Sequence, residues 1–380
     1  MAKMIEIEER VIEGLRGIAA LAVFFSHSDA SGLATNAWLS ANKEMLGIFG
    51  VYLFFSISGY LIWQSALRCL PKAGGLATYA IHRVTRIAPL FLINIAFVTL
   101  MLKYIGSNWT PIIDWTTIWR HLTFTQSLAP SVSRNINPVL WTLTHEALFY
   151  LLVPMLYFIG RRVPVAVVAA TLALLSVYAI RNEIGMFGPF AQVLYAFMAG
   201  VILAEMRKGF VLWFAVILGT VYIATQTYWN NPQMVIGLAA LSVMAAALSG
   251  PGLRFASMPI IRHLLVPIML IGTISYSLYI WHYLLIGIAE HHWDVLRNAV
   301  PYWSESDLIR GVVFTGCRHP GHARRPGESR PHGRHARPAR RQAPARRDPR
   351  TDRVRIRQLT GPLPRSPPPL PRHADDDGRR

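Results

Sequence analysis

Charge is thin in this chain. Only 15% of its 380 residues are Asp, Glu, Lys or Arg, against roughly 25% in a soluble domain, which excludes a molecule coated on every side by water. Cysteine is scarcer still: Cys69 and Cys317 lie far apart, with no close pair and no metal spacing, so no disulfide framework or zinc site is readable. Also missing are a Gly-rich phosphate loop, a His-Glu metal pairing at helical spacing and a Gly-flanked serine nucleophile, which disfavours an ATP-driven pump, an intramembrane metalloprotease and a serine hydrolase. The opening residues MAKMIEIEERVIE lack the order of a cleaved signal, so the first apolar segment is expected to remain as a membrane helix.

What is present is apolar length. Hydrophobic residues make up 53% of the chain and mean hydropathy is +0.33. Apolar stretches recur near the ~20 residues that cross ~30 Å of hydrocarbon. The expected class is an all-α integral membrane protein, a bundle of about ten transmembrane helices. Spans are expected at residues 15–28, 46–66, 87–105, 139–159, 163–180, 187–205, 210–225, 233–248 and 264–288, and a tenth begins near 308 and is disrupted. The first carries Arg16 and His27, inserts poorly alone and must lean on its neighbours.

The formal charge of +18 looks like a nucleic-acid signal until it is located. Residues 317–380 hold 18 Arg, no Lys and six acids, so two thirds of the excess sits in the tail, and no nucleic-acid partner is expected for the body. The chain is therefore divided at 1–316, a multi-spanning domain, and 317–380, an Arg/Pro-rich tail. As physics the tail is a disordered polycation. As coding, Arg, Pro, Ala, Gly and His without Lys, Phe or Tyr is what a GC-rich gene yields after a frameshift. Alternate loops of the body carry Arg68, Lys72, Arg83 and Arg86, then Arg161 and Arg162, then Arg207 and Lys208, then Arg254 and Arg262, nearly without acids. The positive-inside rule then puts the N-terminus in the cytoplasm, and the loop 107–138 outside as a lid or acceptor-binding surface. Trp109, Trp115, Trp119, Tyr228, Trp229, Tyr302 and Trp303 cluster near helix ends, as an interfacial aromatic belt does.

Ionisable groups inside spans each cost about 2.5–3.5 kcal/mol on the insertion scale, so each is a functional candidate. Arg16 and His27 are eleven positions apart, roughly 16 Å along one face of a helix. An Arg suits a phosphate, and a neutral imidazole suits removal of a proton from a hydroxyl; a His held for packing is the structural alternative. Arg83 and Arg86 in HRVTRIAP share one side of a helical turn. They serve either as topology determinants or, with Arg16, as receivers of coenzyme A phosphates. Glu146 in WTLTHEALFY is a carboxylate well inside a span, and His145 beside it points about 100° away. His282 in ISYSLYIWHYLL is either a substrate contact or interhelical glue satisfied by Ser275, Tyr276, Ser277 or Tyr279.

EGLRGIAALAVFFSH, GVYLFFSISGYLIW, HRVTRIAPLFLI, WTLTHEALFYLLVPML and ISYSLYIWHYLL, in that order over about residues 13–288, resemble the membrane acyltransferase family 3, which includes bacterial O-antigen and exopolysaccharide O-acetylases. The resemblance implies about ten spans in the bacterial inner membrane. It implies an acyl group, acetyl in the first instance, taken from acyl-CoA with no metal, and used in polysaccharide biosynthesis or lipopolysaccharide modification, or on nodulation signals or macrolides. The partners implied are membrane lipid and a glycan or glycosylated small-molecule acceptor. Carried over by motif, the catalytic pair is His27 and Glu146, and Arg16, Arg83 and Arg86 hold the donor. Ser58 and Tyr60, flanking Gly59, and His282 are substrate-site candidates. Thr142 and Thr144 stand where the family usually has Ser. A transporter using Arg16, His27 and Glu146 as a proton or anion path is the alternative; inverted repeats and broken helices in both halves would favour it.

Overall fold

The computed structural model describes residues 2–30, 37–105, 115–128, 136–181, 187–206 and 232–291. Within them the regular elements are helical: α1 (Ala2–Ala30), α2 (Ala37–Cys69), α3 (Gly75–Ile105), α4 (Trp115–Leu122), α5 (Trp141–Gly160), α6 (Val165–Arg181), α7 (Gly188–Glu205), α8 (Pro232–Leu248), α9 (Gly250–Ala256), α10 (Pro259–Thr273) and α11 (Ser275–His291), with a 3₁₀ turn at Pro138–Leu140. Five are long and apolar enough to cross a membrane, and up to seven if the bent pairs α8–α9 and α10–α11 each count as one span; α6 is a shorter apolar helix. The protein is an all-α membrane protein. The expected span at 210–225, the disrupted tenth helix and the boundary at 317 lie outside the described residues. So do residues 324–380.

The first three helices begin earlier than the hydropathy reading has them, α1 at Ala2 and α2 at Ala37 instead of 15 and 46. α3 begins at Gly75, twelve residues before the expected start, because the basic turn carrying Arg83 and Arg86 continues the helix although it is not apolar. The expected single span 264–288 is broken, and its halves meet at 70° across Ile274. Between the helices, the 107–138 connection is no plain loop: it contains α4, whose Trp115 is 83% exposed while Thr117 and His121 are buried.

Small residues set the helix spacing, as expected where lipid supplies no hydrophobic drive for association. A Cβ at Gly59 would collide with the Phe197 carbonyl, and one at Gly200 with the Ser56 carbonyl, so α2 and α7 touch backbone to backbone. Beside that contact Phe197 stacks on Phe55 at 4.7 Å and on Phe149 at 4.5 Å. Leu151, Leu174 and Ile260 face outward, more than 70% exposed, as lipid-facing side chains do. The buried polar groups pair across helices: Asn137 Nδ2 donates to Asn94 Oδ1 (3.1 Å) and to the Ile280 carbonyl (2.9 Å), tying α3, the start of α5 and α11.

Candidate active site

The arginines singled out in the sequence converge. Arg16 from α1, Arg83 and Arg86 from α3, Ser58 from α2 and Glu146 from α5 line one cavity of about 70 Å³, together with Thr142 of α5 and Ser275, Tyr276 and Tyr279 of α11. That volume holds a few waters. Three guanidinium groups face one carboxylate, and none of the three lies within 4 Å of an acid: the ion pair among the described residues is Arg10 with Glu6. Arg16, Arg86 and Glu146 are near enough to act on one another electrostatically. Arg83 donates to Ser65 Oγ (2.8 Å) and sits 5.8 and 5.7 Å from the centroids of the Tyr79 and Tyr150 rings, with its Nε buried and unpartnered. Glu146 accepts from Tyr150 Oη at 2.6 Å. The charged side chains lining the cavity are thus three guanidinium groups and one carboxylate, a formal net charge of +2.

His27 stands apart, three helical turns along α1, and its neighbour is His282. The His27 Nδ1 lies 2.9 Å from the Val23 carbonyl, 3.3 Å from Ser26 Oγ and 3.2 Å from His282 Nε2. His282 Nδ1 lies 2.7 Å from the Tyr279 carbonyl and 3.2 Å from that of Leu278. Carbonyls only accept, so both Nδ1 atoms carry the proton, and His282 Nε2 presents a lone pair to the His27 N–H. The basic lone pair of neutral His27 is therefore on Nε2. Tyr279 links the two groups: it lines the cavity, and its ring lies 5.9 Å from that of His282.

Several expectations are sharpened or corrected by this geometry. Glu146 is tied to Tyr150 in the arginine cavity, and the side chain placed against the His27 Nδ1 is His282 rather than Glu146. The hydroxyls of α11 do not satisfy His282, whose partners are two backbone carbonyls and His27. Tyr60 is in neither group, since its hydroxyl donates to Glu8. His145 points away from Glu146, as helix geometry requires, into the rings of Phe55, Trp141 and Phe190. Ser275 and Tyr279 were not singled out in the sequence as companions of the arginines. Their signal, a cluster of hydroxyl residues opening an apolar helix, also fits ordinary interhelical packing.

A membrane bundle that gathers Arg16, Arg83, Arg86 and Glu146 around one cavity matches a known family: residues 10–306 fit the model of the acyltransferase domain of acyltransferase family 3. The chain belongs to that family. Among individual relatives it is 33% identical over 173 residues to nodulation protein 10 of Rhizobium leguminosarum bv. viciae, covering 39% of this chain and 44% of that one. It is 27% identical over 339 residues to O-acetyltransferase OatA of Staphylococcus aureus, covering 77% and 52%. To acyltransferase MdmB of Streptomyces mycarofaciens it is 26% identical over 163 residues, covering 40% of each. The chain thus spans about half the length of the curated relatives it matches. No solved structure matches it.

Proposed function

We propose that the protein is an O-acyltransferase that takes an acyl group, acetyl in the first instance, from acyl-CoA on the cytoplasmic side of the bacterial inner membrane and places it on a hydroxyl of a cell-surface glycan or related glycosylated acceptor. The observation that carries this reading is the convergence of Arg16, Arg83 and Arg86 on one cavity in a member of an acyltransferase family. The name of the staphylococcal relative supports O-acetyl transfer. The basic loops support an N-terminus in the cytoplasm, which would open the arginine cavity toward the donor pool and set His27 roughly 16 Å farther across.

In this mechanism the planar guanidinium groups bind donor phosphates. His27 Nε2 takes the proton from the acceptor hydroxyl as its oxygen attacks the thioester carbonyl. The new C–O bond forms, the C–S bond breaks, the electron pair leaves on sulfur, and the proton passes to the thiolate to release coenzyme A. Glu146, beside the arginines, orients the donor end and limits the positive charge there. Ser58 lines the donor cavity, while His282 acts on His27. Replacing both Arg83 and Arg86 by Ala should raise the donor Kd by roughly tenfold or more, the scale of lost charge-assisted hydrogen bonds. Unchanged coenzyme A binding would return both to topology signals. The transporter reading asks for broken helices in both halves; among the described residues both sharp breaks lie between 233 and 288.

A further inference from the structure

We propose that Ser275 and the N-terminal turn of α11 form a phosphate-binding subsite that completes the lining of the arginine cavity. The proposal deepens the donor-binding reading above, and its ligand class is the phosphate of a nucleotide-type donor. It begins with the break in the chain. α10 and α11 meet at 70°, so a new helix starts at Ser275, whose side chain turns inward with no solvent exposure while Thr273, Ile274 and Ser277 around it are exposed. The first N–H groups of a helix have no intrahelical carbonyl to bond, and the aligned peptide dipoles add partial positive charge there. A helix start at membrane depth is tolerated where it lines a cavity, and such ends commonly face anionic groups.

The second observation is the serine itself. Its Oγ is fully buried, lines the cavity and has no hydrogen-bond partner. The neighbouring hydroxyls of the same wall are satisfied: Tyr276 Oη donates to the Ile87 carbonyl (2.9 Å), and Tyr279 Oη lies 3.1 Å from the Val139 carbonyl and 2.9 Å from Thr142 Oγ1. A buried hydroxyl is unfavourable without a partner, so Ser275 is poised for an acceptor brought by a ligand. Packing fixes its level. A Cβ at Gly272 would strike the Glu13 carbonyl, which pins α10 against α1. Three residues beyond each contact stand Ser275 and Arg16, both lining the cavity. A phosphate has several oxygens and can accept from the serine hydroxyl, the helix N–H groups and the guanidinium groups at once. Glu146, held by Tyr150 at 2.6 Å, offsets one of the three guanidinium charges and leaves a formal charge of +2 for phosphate to meet.

The test uses the full chain in lipid nanodiscs and measures Kd for coenzyme A, for inorganic pyrophosphate and for phosphate-free pantetheine. Ser275→Ala should weaken coenzyme A and pyrophosphate about tenfold, the scale of one hydrogen bond to a charged group. It should leave pantetheine unchanged, and Ser275→Thr should retain wild-type affinity within a few fold. The unliganded Tm of Ser275→Ala should not fall, because the hydroxyl removed had no partner. Equal loss for pantetheine, or unchanged affinity for both phosphate compounds, would overturn the proposal. Wild-type chain that binds pyrophosphate through Ser275 but not coenzyme A would keep the subsite and remove the donor reading. A wild-type chain that binds neither overturns both.

Discussion

At the scale of single residues, the contact between His27 and His282 fixes what each ring can do. With three acceptors around the His27 Nδ1 proton, the ring is held in one tautomer, and the imidazolium formed on taking a proton keeps those partners. His282→Ala should therefore lower kcat by about three- to tenfold, the size of one net hydrogen bond, with donor Kd unchanged. His282→Gln, whose amide oxygen can accept from the same N–H, should recover part of that loss. Equal kcat in wild type and His282→Ala would show that the pair is packing only. A different histidine reports on pH. His121 on α4 is buried, its Nδ1 faces the Thr117 carbonyl at 2.7 Å, and its Nε2 accepts from the Ile136 amide at 3.2 Å. Burial pushes its pKa below the ordinary 6.5, so the folded chain binds this proton later than the unfolded one. The stabilisation is complete above the unfolded value of about 6.5 and is lost as pH falls from there through the folded pKa. Hydrogen exchange at the Ile136 amide should accelerate across that acid window, and His121→Gln should flatten the response; exchange independent of pH after correction for the intrinsic rate would contradict this.

At the scale of helices, the legible features were those carried by local pattern. Arg16 and His27 on one helix, the Arg83 and Arg86 turn and the intramembrane Glu146 are conspicuous because charge inside an apolar run is rare. The break at Ile274 was not legible: no Pro stands there, Pro267 sits inside α10 without ending it, and hydropathy runs on through 264–288. The break falls two residues after Gly272, where α10 packs against the Glu13 carbonyl closely enough to leave no room for a Cβ. The His27–His282 contact, across 255 positions, likewise depends on packing that no window of sequence contains. The contact of Gly59 with the Phe197 carbonyl likewise joins residues far apart in the chain. Since α2 and α7 meet there without room for a methyl group, Gly59→Ala should destabilise the bundle by about 1–3 kcal/mol, as overpacking does. Thermal unfolding in detergent should show a lower Tm for Gly59→Ala and a larger drop for Gly59→Leu. A Tm equal to wild type for both would refute the close approach of these helices.

For the molecule as a whole, orientation decides whether the cavity can serve a cytoplasmic donor. The loop bearing Lys72 and the turn bearing Arg83 and Arg86 are basic without acids nearby in sequence, so a reporter fused after Lys72 should read cytoplasmic and one fused in α4 external. The reverse result for both would separate the arginine cavity from the acyl-CoA pool. With that orientation, the proposed mechanism binds the donor at the arginine cavity and places the base farther along α1. The decisive experiment is transfer of labelled acetyl from acetyl-CoA to glycan in inverted membrane vesicles, comparing wild type with His27→Ala. The rate should fall about 100- to 10,000-fold, because a general base acts chiefly in the transition state, while coenzyme A binding at the arginine cavity stays at the wild-type level. Wild-type turnover in His27→Ala would rule out His27 as the base.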